Sequence, residues 1–320
     1  MAVFNITHIT RYSYSQPVID SVNQVMLYPI QDERQNVLSQ SLEISGNPVV
    51  EGFTDYFGNQ VGVFSMVQPH QVLTITSTIE VATQPLAEPV ITEGVAAQWA
   101  ALHTLQAQYP YMDYLQQEEF KQAADVAALV KGLVQLEQTP LQNAHTLSAY
   151  IYQNFQYRKG ITSVETGMDE IWQLKAGVCQ DFAHLLLVML RMLSIPARYV
   201  SGYICPKDAE LRGEGATHAW VEAYIPYYGW LGLDPTNDCL AGERHVRLAT
   251  GRNFSDCTPV KGTYKGSAAH TLEVSVVIAN PQSNDSSEAT FTPLFSYKVE
   301  APEPDNNSYR RYLEAQQQQQ

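Results

Sequence analysis

The 320-residue chain is poor in positive charge and in cysteine, and it has no long apolar run. Nineteen Lys and Arg stand against 33 Asp and Glu, a net charge of −14. Phosphate backbones and anionic membranes are gripped by basic faces, so neither nucleic acid nor a membrane is expected as a partner. A basic or neutral substrate suits this surface better. Its longest apolar stretches, such as LLLVML at 185–190, are far short of the ~20 residues a bilayer span needs. MAVFNITHITRYSYSQ lacks the charged start and continuous apolar segment of a targeting signal, so the expected location is cytoplasmic. The four cysteines, Cys179, Cys205, Cys239 and Cys257, include no CxxC pair. That spacing argues against structural zinc, and no cofactor is expected.

An apolar fraction of 45% and the length allow two domains with separate cores. Residues 1–88 read as all-β. VLTITSTIEV (72–81) alternates apolar and polar residues, and TDYFGNQVGVF (54–64) places Gly58-Asn59 at a tight turn. Breakers at Pro17, Pro29, Pro48 and Pro69 separate short segments, the spacing of an antiparallel sandwich. Beyond Pro85 and Pro89 the segments 94–108, 116–137 and 140–156 carry helical periodicity. Thr139, Pro140 and Gln142 form a helix start: cap, first residue and capping-box partner.

A reactive thiol is suggested by AGVCQDFAHLLLVMLRMLSIPARYVSGY (176–203), a glycine turn, a cysteine opening an apolar helix, then a strand. A helix N-terminus favours thiolate over thiol. HAWVEAYI (218–225) then alternates, with His218, Trp220, Glu222 and Tyr224 on one face. PYYG (226–229) turns the chain, and WLGLDPTND ends its strand at Asp234. A cysteine enzyme needs a thiolate, a base and a group that orients the base. Cys179, His218 and Asp234 are the residues that element order brings towards one end of the sheet. Residues 251–266 read as a loop, TLEVSVVIA (271–279) as the strand closing an 89–280 core, and 281–320 as linker and disordered glutamine-rich tail.

GVCQDFAHL, IPARYVSGY, THAWVEAYIP and GWLGLDPTND resemble, in order and spacing, the core of the transglutaminase-like superfamily. YSYSQPV, DYFGNQV and VQPHQVLTI resemble the N-terminal domain of its bacterial members, and GRNFSDCTPVKG resembles a loop found in them. The resemblance implies an α+β, papain-like catalytic domain after a β-sandwich, and a Cys179–His218–Asp234 triad working through an acyl-thioester. Water as second nucleophile makes a protease or amidase acting on protein or peptide; a lysine amine makes a cross-linking γ-glutamyltransferase. A silent interaction module is the reading from another class. The resemblance tilts the expectation to hydrolysis.

Further candidates surround the triad. Gln173 precedes Cys179 by six residues, the spacing of papain's oxyanion glutamine, although the Cys179 backbone N–H is the first choice for that role. Trp172 and Trp220 are candidate cleft walls, with core packing as the alternative. Arg252 is a candidate for the cleft rim, with an ion pair to Asp256 as the alternative. His184 lies about 140° round the helix from Cys179 and, like Asp181 in the first turn, is assigned to the framework. His245 is likewise read as structural.

Overall fold

A computed structural model describes residues 1–87, 89–162, 166–205, 212, 217–279 and the strand at 295–299. The chain runs β1 (Ala2–Val25), β2 (Gln35–Ile44), β3 (Glu51–Thr54), β4 (Gln60–Met66), β5 (His70–Thr83), α1 (Val95–Leu105), α2 (Ala123–Leu133), α3 (Pro140–Asn154) and β6 (Gln156–Tyr157). It continues through α4 (Met168–Leu174), β7 (Ala176–Gly177), α5 (Cys179–Met192), β8 (Ala197–Ile204), β9 (Thr217–Ile225), β10 (Gly229–Asp234), β11 (Cys239–Leu240) and β12 (His245–Gly251). The last strands are β13 (Val260–Lys265), β14 (His270–Ala279) and β15 (Phe295–Val299).

β1 organises the N-terminal sheet. Its first half alternates cleanly, burying Phe4, Ile6, His8 and Thr10, and is flanked by β5 and β14. A register shift between Ser13 and Val18 bends the strand, and its second half pairs with β4 and β13. Three expectations are corrected here. The 251–266 segment is not a loop throughout, because 260–265 is strand β13. The 270–279 strand does not close the catalytic sheet but pairs with β1, from Tyr14 opposite His270 to Asn5 opposite Ala279, a distant partner that no local pattern names. Within the expected tail, β15 pairs with β14, while the rest of 281–320 lies outside the described residues.

The second sheet is antiparallel and curled, in the order β11-β10-β9-β8-β12. α5 packs on it, burying Phe182, Leu185, Leu186 and Met189 against Ala219, Val221 and Ala223. The sequence marks one apolar face of this helix, yet residues on nearly every side are buried, because α2, α3 and α4 cover its outer surface. The capping box of α3 is formed: Gln142 N–H donates to the Thr139 hydroxyl at 3.2 Å, and Thr139 N–H to the Gln142 side chain at 2.9 Å.

The two sheets are joined along β12, an edge strand whose outward backbone groups need partners. Side-chain amides supply them. Gln35 donates to the Arg247 carbonyl at 2.9 Å and accepts from its N–H at 2.8 Å. Asn59 does the same for Thr250, at 2.8 Å each way. Arg247 adds an ion pair to Asp32 at 2.6 Å. Asn59→Ala leaves both Thr250 groups buried and unpaired, so chemical denaturation should show a loss of roughly 2–4 kcal/mol. A loss under about 0.5 kcal/mol would mean that the edge finds other partners.

Candidate active site

Cys179 is positioned by close packing around Gly177. β6 and β7 pair in parallel, with Tyr157 opposite Gly177, and Arg158 N–H donates to the Gly177 carbonyl at 2.9 Å. Asp181, in the first turn of α5, folds back beneath that strand. Its Oδ2 accepts from Val178 N–H at 2.8 Å and from the Thr162 hydroxyl at 2.7 Å. A Cβ at position 177 would lie 2.8 Å from that of Asp181 and nearer still to its carboxylate, so only glycine permits the approach. Burial raises the Asp181 pKa, and the two hydrogen bonds oppose that rise. Cys179 is thus the half-buried first residue of a braced helix. The first helical bond is from Phe182 N–H to the Val178 carbonyl, so the amides of residues 179–181 point out of the helix end.

His218 is the second residue of β9. Asp234 closes β10, and the register places Gly232 opposite Glu222, so the even-numbered residues of both strands share one face. His218 Nε2 donates to Asp234 Oδ2 at 2.8 Å, and both side chains are fully buried. Burial by itself would lower the His218 pKa. The charge and hydrogen bond of Asp234 outweigh it, the Cys179 thiol is close enough to add to the effect, and the pKa rises to about 10. His218 is therefore an imidazolium at neutral pH. Nδ1 is buried without a completed hydrogen bond among the described residues, and it is the nitrogen left to serve the thiol.

Asp234 is over-supplied with donors. Besides His218, its Oδ2 receives Asn237 Nδ2 at 2.8 Å and His245 Nε2 at 3.2 Å, and Oδ1 receives Thr236 N–H at 2.9 Å. Burial opposes ionisation, but the neighbouring imidazoles hold the carboxyl well below the usual carboxylate range. Ligand-type atoms of His218, Asp234 and His245 lie within 4.8 Å of one another. Both Nε2 atoms converge on one oxygen as donors, however, and a metal would need those nitrogens stripped of their protons. Hydrogen bonding accounts for the cluster.

The remaining candidates are dispersed. Trp220 has no exposed surface, and it stacks beside His218, with ring centroids 6.1 Å apart, and edge-on to His245 at 5.1 Å. It packs beside both imidazoles as a buried side chain. A Cβ on Gly202, opposite His218, would strike the Val246 carbonyl and the Trp220 ring. Trp172 is half-buried, with Lys175 Nζ 2.8 Å from its ring centroid and Phe155 at 6.1 Å. Gln173 is exposed on α4. Arg252 is removed from the thiol: its carbonyl accepts from Arg191, three turns further along α5, and its guanidinium pairs with Asp256 at 2.9 Å. His184 accepts from Phe254 N–H at 3.1 Å, a framework bond.

The sequence singled out neither Asn237 nor Tyr157, and His245, read as structural, was not expected at the site. Asn237 had a signal, since an Asn three residues after a strand-ending Asp-Pro folds back readily on the carboxylate. Tyr157 faces the site through the β6–β7 pairing. Burial, then the neighbouring Cys179 and Asp234, push its pKa up. His245 had no local signal.

Residues 127–235 match the transglutaminase-like superfamily, and residues 4–82 match the bacterial transglutaminase-like N-terminal region. An uncharacterized protein of Mycobacterium leprae is 34% identical over 277 residues, covering 85% of this chain and 97% of its own. One from Mycobacterium tuberculosis is 33% identical over 288 residues, covering 85% and 91%. Among solved structures, a protein described as a candidate cysteine protease from Cytophaga hutchinsonii superposes with a TM-score of 0.68 at 23% identity, over 93% of this chain and 96% of its own. A 103-residue stretch is also 32% identical to part of a protein-glutamine gamma-glutamyltransferase of Pseudomonas aeruginosa, covering 29% of this chain and 15% of that one.

Proposed function

This chain belongs to the transglutaminase-like superfamily, and from that membership and the geometry of the site we propose that it is a cysteine-nucleophile hydrolase of peptide or side-chain amides. The observation that carries the reading is the buried His218–Asp234 pair, which keeps the imidazole protonated beside a thiol at a helix N-terminus. An imidazolium next to a cysteine stabilises the thiolate as an ion pair. The Cys179 sulfur attacks the amide carbon, and a C–S bond forms while the carbonyl oxygen takes up the electron pair. The N–H groups at the start of α5 are the donors best placed to receive that oxyanion. When the C–N bond breaks, His218 gives its Nδ1 proton to the departing amine. Neutral His218 then removes a proton from water, the hydroxide resolves the thioester, and the acid leaves with the thiolate–imidazolium pair restored. Asp234 holds the ring in place and balances its charge throughout, without itself taking the proton.

The short match to a gamma-glutamyltransferase favours a second reading, in which a lysine amine replaces water. Both readings share the first half-reaction. Hydrolysis is preferred because water is always present, whereas transfer needs an amine site that competes with it. Incubation with a glutamine-containing protein and a fluorescent primary amine separates them. The expected result is cleavage or ammonia release with little label incorporated, none of it with Cys179→Ala. Predominant incorporation of label would instead establish transfer.

A further inference from the structure

His245 is eleven residues beyond the hairpin that carries His218 and Asp234, on an edge strand of the sheet. Curling of the sheet brings it back to them. Its Nδ1 accepts the Gly242 N–H at 3.3 Å, so the proton of the neutral ring must be on Nε2, the atom 3.2 Å from Asp234 Oδ2. The side chain is buried, its ring centroid 6.1 Å from that of His218, and Trp220 packs beside both imidazoles at 6.1 Å and 5.1 Å. Its strand is itself clamped two residues later, where Gln35 and Asp32 of the N-terminal region hold Arg247.

We propose that His245 is a positioning residue: a neutral imidazole of fixed tautomer that donates to Asp234 Oδ2 and so aims that carboxylate at His218. This rests on the functional reading above. One rotatable carboxylate serving one imidazole could swing away from it. With Asn237 and His245 converging on the same oxygen, and Thr236 N–H holding the other, Asp234 has a single orientation. A neutral donor suits this task, since a second cation on the carboxylate would weaken its hold on the His218 proton. The same placement gives the N-terminal sheet a part in the chemistry, because it anchors the strand on which His245 stands.

The test compares His245→Leu, which fills the space without donating, with His245→Gln, whose amide can reach Asp234, and His245→Asn, whose shorter amide cannot. Two readouts are used on the full chain: the iodoacetamide rate at Cys179, and the low-field proton resonance of the His218 Nε2–H bond. Losing one hydrogen bond to a buried charge should slow alkylation by roughly 10- to 100-fold in the Leu variant. The resonance should broaden there, both properties should largely return in the Gln variant, and alkylation should slow no further when His245→Leu is added to Asp234→Asn. A folded Leu variant with the parent's resonance and rate would overturn the proposal, as would an undiminished extra loss in the Asp234→Asn background. If the Leu variant does not fold, Gln and Asn variants that behave alike overturn it instead. The resonance reports on positioning whether or not Cys179 proves nucleophilic, so failure of the hydrolase reading is distinguishable from failure of this one.

Discussion

Cys179→Ala is expected to reduce amide cleavage by on the order of 10⁵-fold or more, because without the nucleophile only binding and the oxyanion donors remain. Stability should move by less than about 1 kcal/mol, since the side chain is half-buried and small. The pairing of a large kinetic effect with a small structural one is what distinguishes a nucleophile from a packed thiol. Alkylation of the parent protein at neutral pH offers a second view. Burial pushes the thiols of Cys205 and Cys257 far above their ordinary pKa, and that of Cys239 up to about 12. All three are poorly ionised in their own surroundings, so a single fast-reacting cysteine is expected, at position 179. Alkylation no faster there than at Cys239 would sink the nucleophile and leave an interaction module as the better reading.

Asp234→Ala should be damaging in two ways. It removes the acceptor of three side-chain donors and one backbone N–H, all of them buried except the half-buried Asn237. Leaving one member of a buried charged pair alone costs about 3–5 kcal/mol. Activity should fall by on the order of 10⁴-fold, the effect typical of losing the carboxylate that orients a catalytic imidazole. Asp234→Asn keeps the shape and separates the two losses: most of the fold stability should return, but not the rate.

The pH dependence follows from the shifts. Asp234 is more acidic when folded, so its stabilisation is present above the ordinary carboxylate range and is lost progressively as pH falls below that range towards the lower folded pKa. His218 moves from 6.5 to about 10, so its stabilisation is complete below 6.5 and lost as pH rises through 10. These are two descriptions of one interaction. The stability gap between parent and Asp234→Asn should therefore be widest near pH 5–6 and close towards pH 10, as denaturation midpoints across that range would show. A gap that does not vary with pH would mean the pair is not ionised.

Much of the site could be read from the chain alone, because its determinants are local. Helical spacing after a glycine turn places Cys179 at the start of α5. Strict alternation in 218–225 and the Pro226–Gly229 turn put His218 and Asp234 on one face of a hairpin. Thr139, Pro140 and Gln142 mark the start of α3 through contacts within four residues. Each of these signals depends on backbone periodicity or turn chemistry, which a short segment carries by itself.

Other features were decided by the way distant segments meet. Asn59 looks like a turn residue, yet its amide completes the edge of β12, 191 residues further on. The 270–279 strand alternates like any half-buried strand, and nothing in it says that β1 is its partner. Arg252 belongs to a family-like loop in sequence but lies along the far part of α5. Gly177 looks like a turn residue in the sequence but lies in strand β7; that it makes room for the Asp181 carboxylate is visible only once the helix has folded back. His245 is the sharpest case. A histidine opening a strand has no distinguishing pattern, and its meeting with Asp234 depends on the curl of a five-stranded sheet. The sequence by itself determined the elements that carry Cys179, His218 and Asp234, because periodicity and turns act over a few residues; β13 and β15, which depend on pairing with β1 and β14, it did not mark. Only the tertiary structure decided which buried donors converge on Asp234, because that follows from sheet curvature and from the strand edges that remained to be paired.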